Sequence, residues 1–157
     1  MTPYQTALHA LEECMADLHA SAAAVVYEHW EKIKAHEART TGYEDRSNIG
    51  PAAHRQGNHI QAKWIAIKWY GKGAARKQVK VNIPRSRVEL TYSMAKLAPY
   101  AKEWEIPIIQ DTEKKLTSIR KQAHHVVRAI MAMKNATLIE RNQPILDDDP
   151  ASAEDES

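Results

Sequence analysis

The sequence predicts a mostly helical α+β fold in which a long N-terminal helix pairs with a long C-terminal helix, antiparallel and coiled-coil-like, around a central β-hairpin, with an acidic disordered tail. Two long stretches have apolar residues recurring in alternating steps of three and four. Between them lies a block of β-branched and aromatic residues interrupted by glycines. The last segment, 142–157, carries six acidic residues and no Lys or Arg, a composition that cannot bury enough apolar surface to fold.

The first helix is expected over residues 3–38. Thr2 suits the N-cap, Pro3 the first helical position, and Gln5 lies three residues after the cap, where its amide can reach back. Leu8, Leu11, Met15, Leu18, Ala22 and Val25 form one stripe, which then drifts to Val26, Trp30 and Ile33; that drift fits a relaxation from 3.5 towards 3.6 residues per turn. Such a helix would be about 54 Å long at 1.5 Å per residue and needs an equally long partner to cover its stripe. Cys14, the single cysteine, falls on the apolar side and is expected to act as a small core residue.

Residues 39–58 hold three glycines, one proline and no apolar period, and are expected to form a flexible connection. A hairpin follows over 59–84. In its first strand Ile65, Ile67 and Trp69 share one face while Trp64 and Lys68 share the other, the segment GKGAARK makes the turn, and Val79, Val81 and Ile83 alternate with Lys80 and Asn82 before Pro84 ends the pairing. Ser86 and Glu89 have capping-box spacing ahead of a short helix to residue 97. Pro99 is expected to open the final helix, 99–141, with a possible kink at Pro107 and a seam through Ile109, Thr112, Leu116, Ile119, Ala123, Val126, Ile130 and Met133. The two seams are expected to pair within one chain or across a homodimer. The elements make one domain, 1–141, followed by the tail.

Charge is segregated along the chain. Residues 1–58 carry five basic and eight acidic side chains, residues 59–141 seventeen and six, and residues 142–157 none and six, for net charges of −3, +11 and −6. A basic middle beside an acidic end suits a chain that meets a polyanion. The tail could contact a basic partner or fold back on the hairpin as a DNA mimic. No run reaches the roughly 18 apolar residues needed to span a bilayer, and neither a disulfide framework nor a signal-peptide pattern is present. A cytoplasmic protein without membrane contact is the expectation.

Little in the sequence suggests catalysis. His9, His19, His29 and His36 are spaced by ten, ten and seven residues, without the one-turn pairing of helical metal sites. His124 and His125 are adjacent and would project about 100° apart on a helix, so they cannot jointly chelate an ion. Gly71 and Gly73 sit in a hairpin turn, not before a helix with the lysine spacing of a phosphate loop. No catalytic residue, metal or cofactor is therefore expected.

The hairpin carries the functional signal. Lys63, Lys68, Lys72, Arg76, Lys77, Lys80, Arg85 and Arg87 occur without one acidic residue among them, interleaved with Trp64, Trp69 and Tyr70. Cations hold phosphates, aromatics stack on bases, and a two-stranded ribbon fits a major groove. The bland reading makes Trp64 and Trp69 packing residues and the lysines solubilisers of a sheet edge. A merely solubilising face normally mixes signs, which favours nucleic acid, with these eight cations, Trp64 and Tyr70 as the expected contacts. Lys114, Lys115, Arg120, Lys121 and Arg128 on the last helix could extend the patch, although Glu103, Glu105, Asp111 and Glu113 mix with them near its start.

The stretch from KWYGKG through VNIPRS to PYAKEWEIPIIQDTEKKLTSIRKQ resembles the auxiliary mobilisation proteins of the MobI type, found on conjugative plasmids and integrative conjugative elements. Trp69 and Tyr70, Ile83, Pro84 and Arg85, Ala101 to Glu105 with Trp104, and Leu116, Ile119 and Arg120 carry the likeness, which spans roughly residues 60–125. It brings no active-site residue. It implies a non-catalytic DNA-binding factor that helps start conjugative transfer at the origin of transfer beside a relaxase. The rival expectations are a helical adaptor that binds another protein through its seams and a small transcriptional regulator that reads DNA with a β-ribbon.

Overall fold

The computed structural model describes residues 1–40 and 42–146; most of the acidic tail, 147–157, lies outside the described residues. Two 35-residue helices, α1 (Pro3–Glu37) and α3 (Ile106–Glu140), form the frame, each about 52 Å long. Between them come β1 (Ile49–Gln56), β2 (His59–Tyr70), β3 (Lys77–Asn82) and the single-turn α2 (Met94–Leu97).

α1 begins as its sequence dictates. The Thr2 hydroxyl accepts from Gln5 N at 3.2 Å while Thr2 N donates to Gln5 Oε1 at 2.8 Å, satisfying two donors that a helix start leaves open. The seams of α1 and α3 meet within one chain, and their pairing is antiparallel. Met15 packs with Ala123, Val127 and Ile130, Ala22 with Leu116 and Ile119, and His29 bonds to Thr112, so α3 descends as α1 rises. The α1 seam runs Met15, Ala22, His29, Ile33; the expected drift through Val26 and Trp30 does not occur, because His29 takes the core position. Cys14, expected in the core, is exposed one position off the seam.

The sheet is antiparallel with strand order β1-β2-β3. Its first strand lies inside the stretch 39–58 expected to be a flexible connection. Ile49–Gln56 pairs with His59–Ala66 around Gly57, which has φ +58°. The edge position makes this possible: with a neighbour on one side only, β1 tolerates Pro51. Gly50 is required by contact, since a Cβ there would run into the Trp30 indole, whose Nε1 donates to Pro51 O at 3.3 Å. The approach to β1 is also held: Ser47 N donates to Glu37 Oε1 at 2.8 Å, and the Ser47 hydroxyl donates to the buried carboxylate of Glu105.

Ala62, Trp64 and Ala66 form the buried face of β2, not the face of Ile65 and Ile67. The alanines let the helices approach, with Ala62 against Ala22, Leu116 and Ile119. Trp64, Ala66, Ile49, Ile83, Tyr92, Leu97 and Ile109 form the core between the sheet, α2 and the start of α3.

Two boundaries differ from expectation. The capping contact at Ser86 exists, with Glu89 N donating to its hydroxyl at 3.2 Å, but the segment closes into a loop in which Ser86 N reaches Thr91 O. Leu90, at φ +58°, cannot continue a right-handed helix, so α2 starts only at Met94. The last helix starts at Ile106, not at residue 99: Ala101 and Lys102 are extended, and Pro107 occupies the first turn, where its missing N–H costs nothing, and does not act as an interior kink.

Buried polar side chains in this frame include His29 and the pair Glu113 and Arg120. His29, 1% exposed, bonds through Nδ1 to the Thr112 hydroxyl at 2.7 Å and meets Trp30 and Trp64 edge to face. Burial, aided by the Lys32 charge, lowers its pKa to about 4. Glu113 and Arg120 form a buried ion pair, Arg120 Nη2 to Glu113 Oε1 at 2.8 Å and Nη1 to Oε2 at 2.9 Å. Burial alone would raise Glu113; the hydrogen bonds and charge of Arg120, with donors from Tyr92 N and Trp64, hold it below the ordinary carboxylate value.

Because unfolding lets His29 take up a proton that the folded protein refuses, its contribution to stability is complete above pH ~6.5 and is lost as pH falls towards the folded value. We expect a loss of about 2 kcal/mol between pH 7 and pH 5 by denaturant titration, absent in His29→Gln. Replacing Glu113 by Gln strands the Arg120 charge in the core and should cost roughly 3–5 kcal/mol, read in the same titration at pH 7. For Glu113 the sign is that of a depressed acid, so wild type loses the pair's contribution as pH falls below ~4.3, and the Gln variant shows no such loss.

Candidate nucleic-acid interface

The stagger of the sheet creates the candidate interface. β1 pairs with residues 59–66 of β2 and β3 with residues 65–70, so only Ile65 and Ala66 have a strand on both sides. Beyond Ile67 the β2–β3 hairpin continues as a two-stranded ribbon, and every residue from Lys68 to Lys80 is exposed. The turn requires Gly71, at φ +85°, where a Cβ would lie 2.6 Å from the Ala75 carbonyl oxygen.

The expected cations divide into two groups. Lys68, Lys72, Arg76, Lys77 and Lys80 are on the ribbon and exposed. The antiparallel register pairs Lys68 with Val79 and Tyr70 with Lys77 on one face, and Ile67 with Lys80 and Trp69 with Gln78 on the other, so both faces carry positive charge. Lys63, Arg85 and Arg87 lie instead at the ribbon's base, Lys63 and Arg85 half-buried. They line a cavity of about 370 Å³ with Arg120, His59 and His124.

The two expected aromatics differ in exposure. Tyr70 is exposed on the ribbon. Trp64 is not a surface contact: it is 1% exposed and donates its indole N–H to Glu113 Oε1 at 2.9 Å. The available tryptophan is Trp69, 45% exposed, held at its Nε1 by Asn48 Oδ1 at 3.3 Å and covered on one side by the Arg76 guanidinium, 4.4 Å from the ring centroid. Strand parity separates the two, since Trp64 lies between Ala62 and Ala66 on the face the helices need to approach.

Lys114, Lys121 and Arg128 on α3 are exposed, but two of the expected extensions are neutralised. Arg120 is buried against Glu113, and Lys115 lies 3.0 Å from Asp111 and 3.6 Å from Glu28; Lys32, with Lys115, holds the Glu28 carboxyl below its ordinary value, and Lys115 does the same for Asp111. The rings of His124 and His125 meet edge to face with centroids 5.6 Å apart. Among the described residues no group of three or more His, Cys, Asp or Glu side chains could hold a metal ion, and no helix is long and apolar enough to cross a membrane.

The family model described as MobI protein matches residues 18–134, which takes in most of α1, all three strands and most of α3. No curated protein and no solved structure matches. The family match reaches well outside the 60–125 stretch that carries the resemblance in sequence, since it includes the α1 seam from Leu18 onward and β1. With three-quarters of its length inside that match, the chain belongs to the MobI family.

Proposed function

We propose that the protein is a non-catalytic DNA-binding accessory factor for the initiation of conjugative transfer, acting in the cytoplasm at the origin of transfer together with a relaxase. Membership of the MobI family supports the link to mobilisation. The ribbon carries the DNA-binding part of the reading: five cations and no acid between Lys68 and Lys80, all exposed, on a projection only two strands wide. Such a ribbon can enter a major groove while its lysines reach phosphates on either side. Trp69 and Tyr70 add surfaces on which an unstacked base can rest.

The helical-adaptor alternative loses its motivation, because the seams that would bind a foreign helix are occupied by each other. For the same reason a homodimer would have to use another surface. A β-ribbon transcriptional regulator shares the binding mode and differs in its site, an operator in place of an origin of transfer.

Fluorescence anisotropy with the origin-of-transfer duplex of the parent element and a scrambled duplex, each over a range of salt, tests the proposal. We expect the origin duplex to bind more tightly and both affinities to fall steeply with salt. Changing Lys68, Lys72, Arg76 and Lys80 together to Ala should weaken binding roughly a hundredfold and reduce the salt slope by about three units. All four side chains are exposed, so the thermal melt should be unchanged. Binding that survives the fourfold change with its salt slope intact would overturn the proposal.

A further inference from the structure

A cationic stripe runs along α3 on the side away from α1. Lys114, Lys121 and Arg128 are exposed and seven residues apart, so each is turned only about 20° from the one before it. Lys114 and Lys121 stand two residues past Thr112 and Ile119, which are buried, and therefore point to the far side of the helix. Between Glu113 and Glu140 the helix contains no acidic residue. Among the described residues Lys115 and Arg120 are ion-paired on this helix, and Lys114, Lys121 and Arg128 are not.

The end of the chain turns back towards this stripe. Gln143 N donates to Leu138 O at 2.8 Å after Asn142 takes φ +55°. Leu146 N then donates to Asn135 Oδ1 at 2.9 Å, and Leu146 O accepts from Asn135 Nδ2 at 3.4 Å. Asn135 stands seven residues after Arg128, on the same line of the helix. The eleven residues after Leu146 therefore start at the head of the stripe, and they hold two acidic blocks, Asp147–Asp149 and Glu154–Glu156.

The spacings agree. From Asn135, Arg128 is about 11 Å, Lys121 about 21 Å and Lys114 about 32 Å along the helix. At about 3.3 Å per extended residue, the first acidic block falls within about 10 Å of Leu146 and the second between about 26 and 33 Å. The ribbon is a poorer fit in the same chain: it starts past the level of Ile109, where Ala66 packs, about 39 Å from Asn135. We propose that residues 147–157 lie along α3, with Asp147–Asp149 at Arg128 and Glu154–Glu156 at Lys121 and Lys114, and that DNA has to displace them to use these three cations. The placement is independent of the DNA-binding reading above, and the competition with DNA rests on it. With the stripe occupied, DNA of any sequence meets the ribbon alone.

A spin label at Ala153→Cys, in the full chain with Cys14→Ser, tests the placement by NMR. We expect broadening of the amides of residues 118–128, unchanged on dilution and lost in high salt, where exposed charges are screened. Broadening absent from α3, or confined to the ribbon, overturns the inference; broadening that fades on dilution assigns the tail to a second copy and overturns it as well. Anisotropy with the scrambled duplex reads the competition. Ending the chain at Leu146 should strengthen binding about tenfold and steepen the salt slope by nearly three units. Both gains should vanish when Lys114, Lys121 and Arg128 are changed to Ala. Equal gains in the two backgrounds would come from the loss of net negative charge alone and overturn the competition. If no form of the protein binds either duplex, the DNA-binding reading fails, and the spin label still decides where the tail lies.

Discussion

The fold depends on one buried carboxylate. Glu113 accepts from Trp64 Nε1, Thr91 Oγ1, Tyr92 N, Thr117 Oγ1 and both terminal nitrogens of Arg120. Those donors come from the middle strand, from the loop ahead of α2 and from α3. Arg120 extends the network to Ala62 O and Leu90 O and stacks over the Tyr92 ring at 4.9 Å. A buried ion pair does not stabilise in proportion to its Coulomb energy, because desolvation of both charges opposes it. What this one supplies is position: with every donor aimed at one carboxylate, the sheet has one place on the helix pair, and Leu90 is kept in a backbone conformation it would otherwise avoid.

Pairing within the fold limits which charges are left to solvent. Seventeen basic residues in the central segment suggest a broad patch, yet Arg120 is consumed in the core and Lys115 is tied to Asp111 and Glu28. The ribbon keeps its five cations without a carboxylate between them. Its positive field is thus concentrated on a narrow projection and not spread along α3, which suits contact with a grooved polyanion better than with a flat one.

The helices were legible because their signals are local and redundant: a capping box at Thr2 and Gln5, Pro3 at the first position, and seams repeated over several turns. The ribbon was legible for a similar reason, through alternation, glycines at the turn and Pro84 after the second strand. β1 was not, since IGPAAHRQ has one β-branched residue and a proline; pairing with β2 and the contact of Gly50 with Trp30 make it a strand, and both are tertiary. Trp64 was assigned to the surface because composition cannot tell which face of a strand is buried, although the flanking alanines carried that information. His29 and Glu113 have polar side chains at core positions, and Arg120, four residues after the seam position Leu116 and three before Ala123, was counted by its charge and not by its place on the helix. The start of α3 depended on Glu105 accepting from Lys102 N at 2.7 Å, a contact visible only after folding.

The narrow overlap of the two hairpins has a consequence for how such a chain can diversify. Only Ile65 and Ala66 belong to both, and beyond Ile67 the ribbon meets the rest of the molecule through Lys68 over the Tyr100 ring and Trp69 on Asn48. Residues 71–80 contribute neither to the seams of the helix pair nor to the hydrogen bonds of Glu113. A change of sequence there alters the charge and shape offered to a partner while the buried carboxylate keeps its full set of donors.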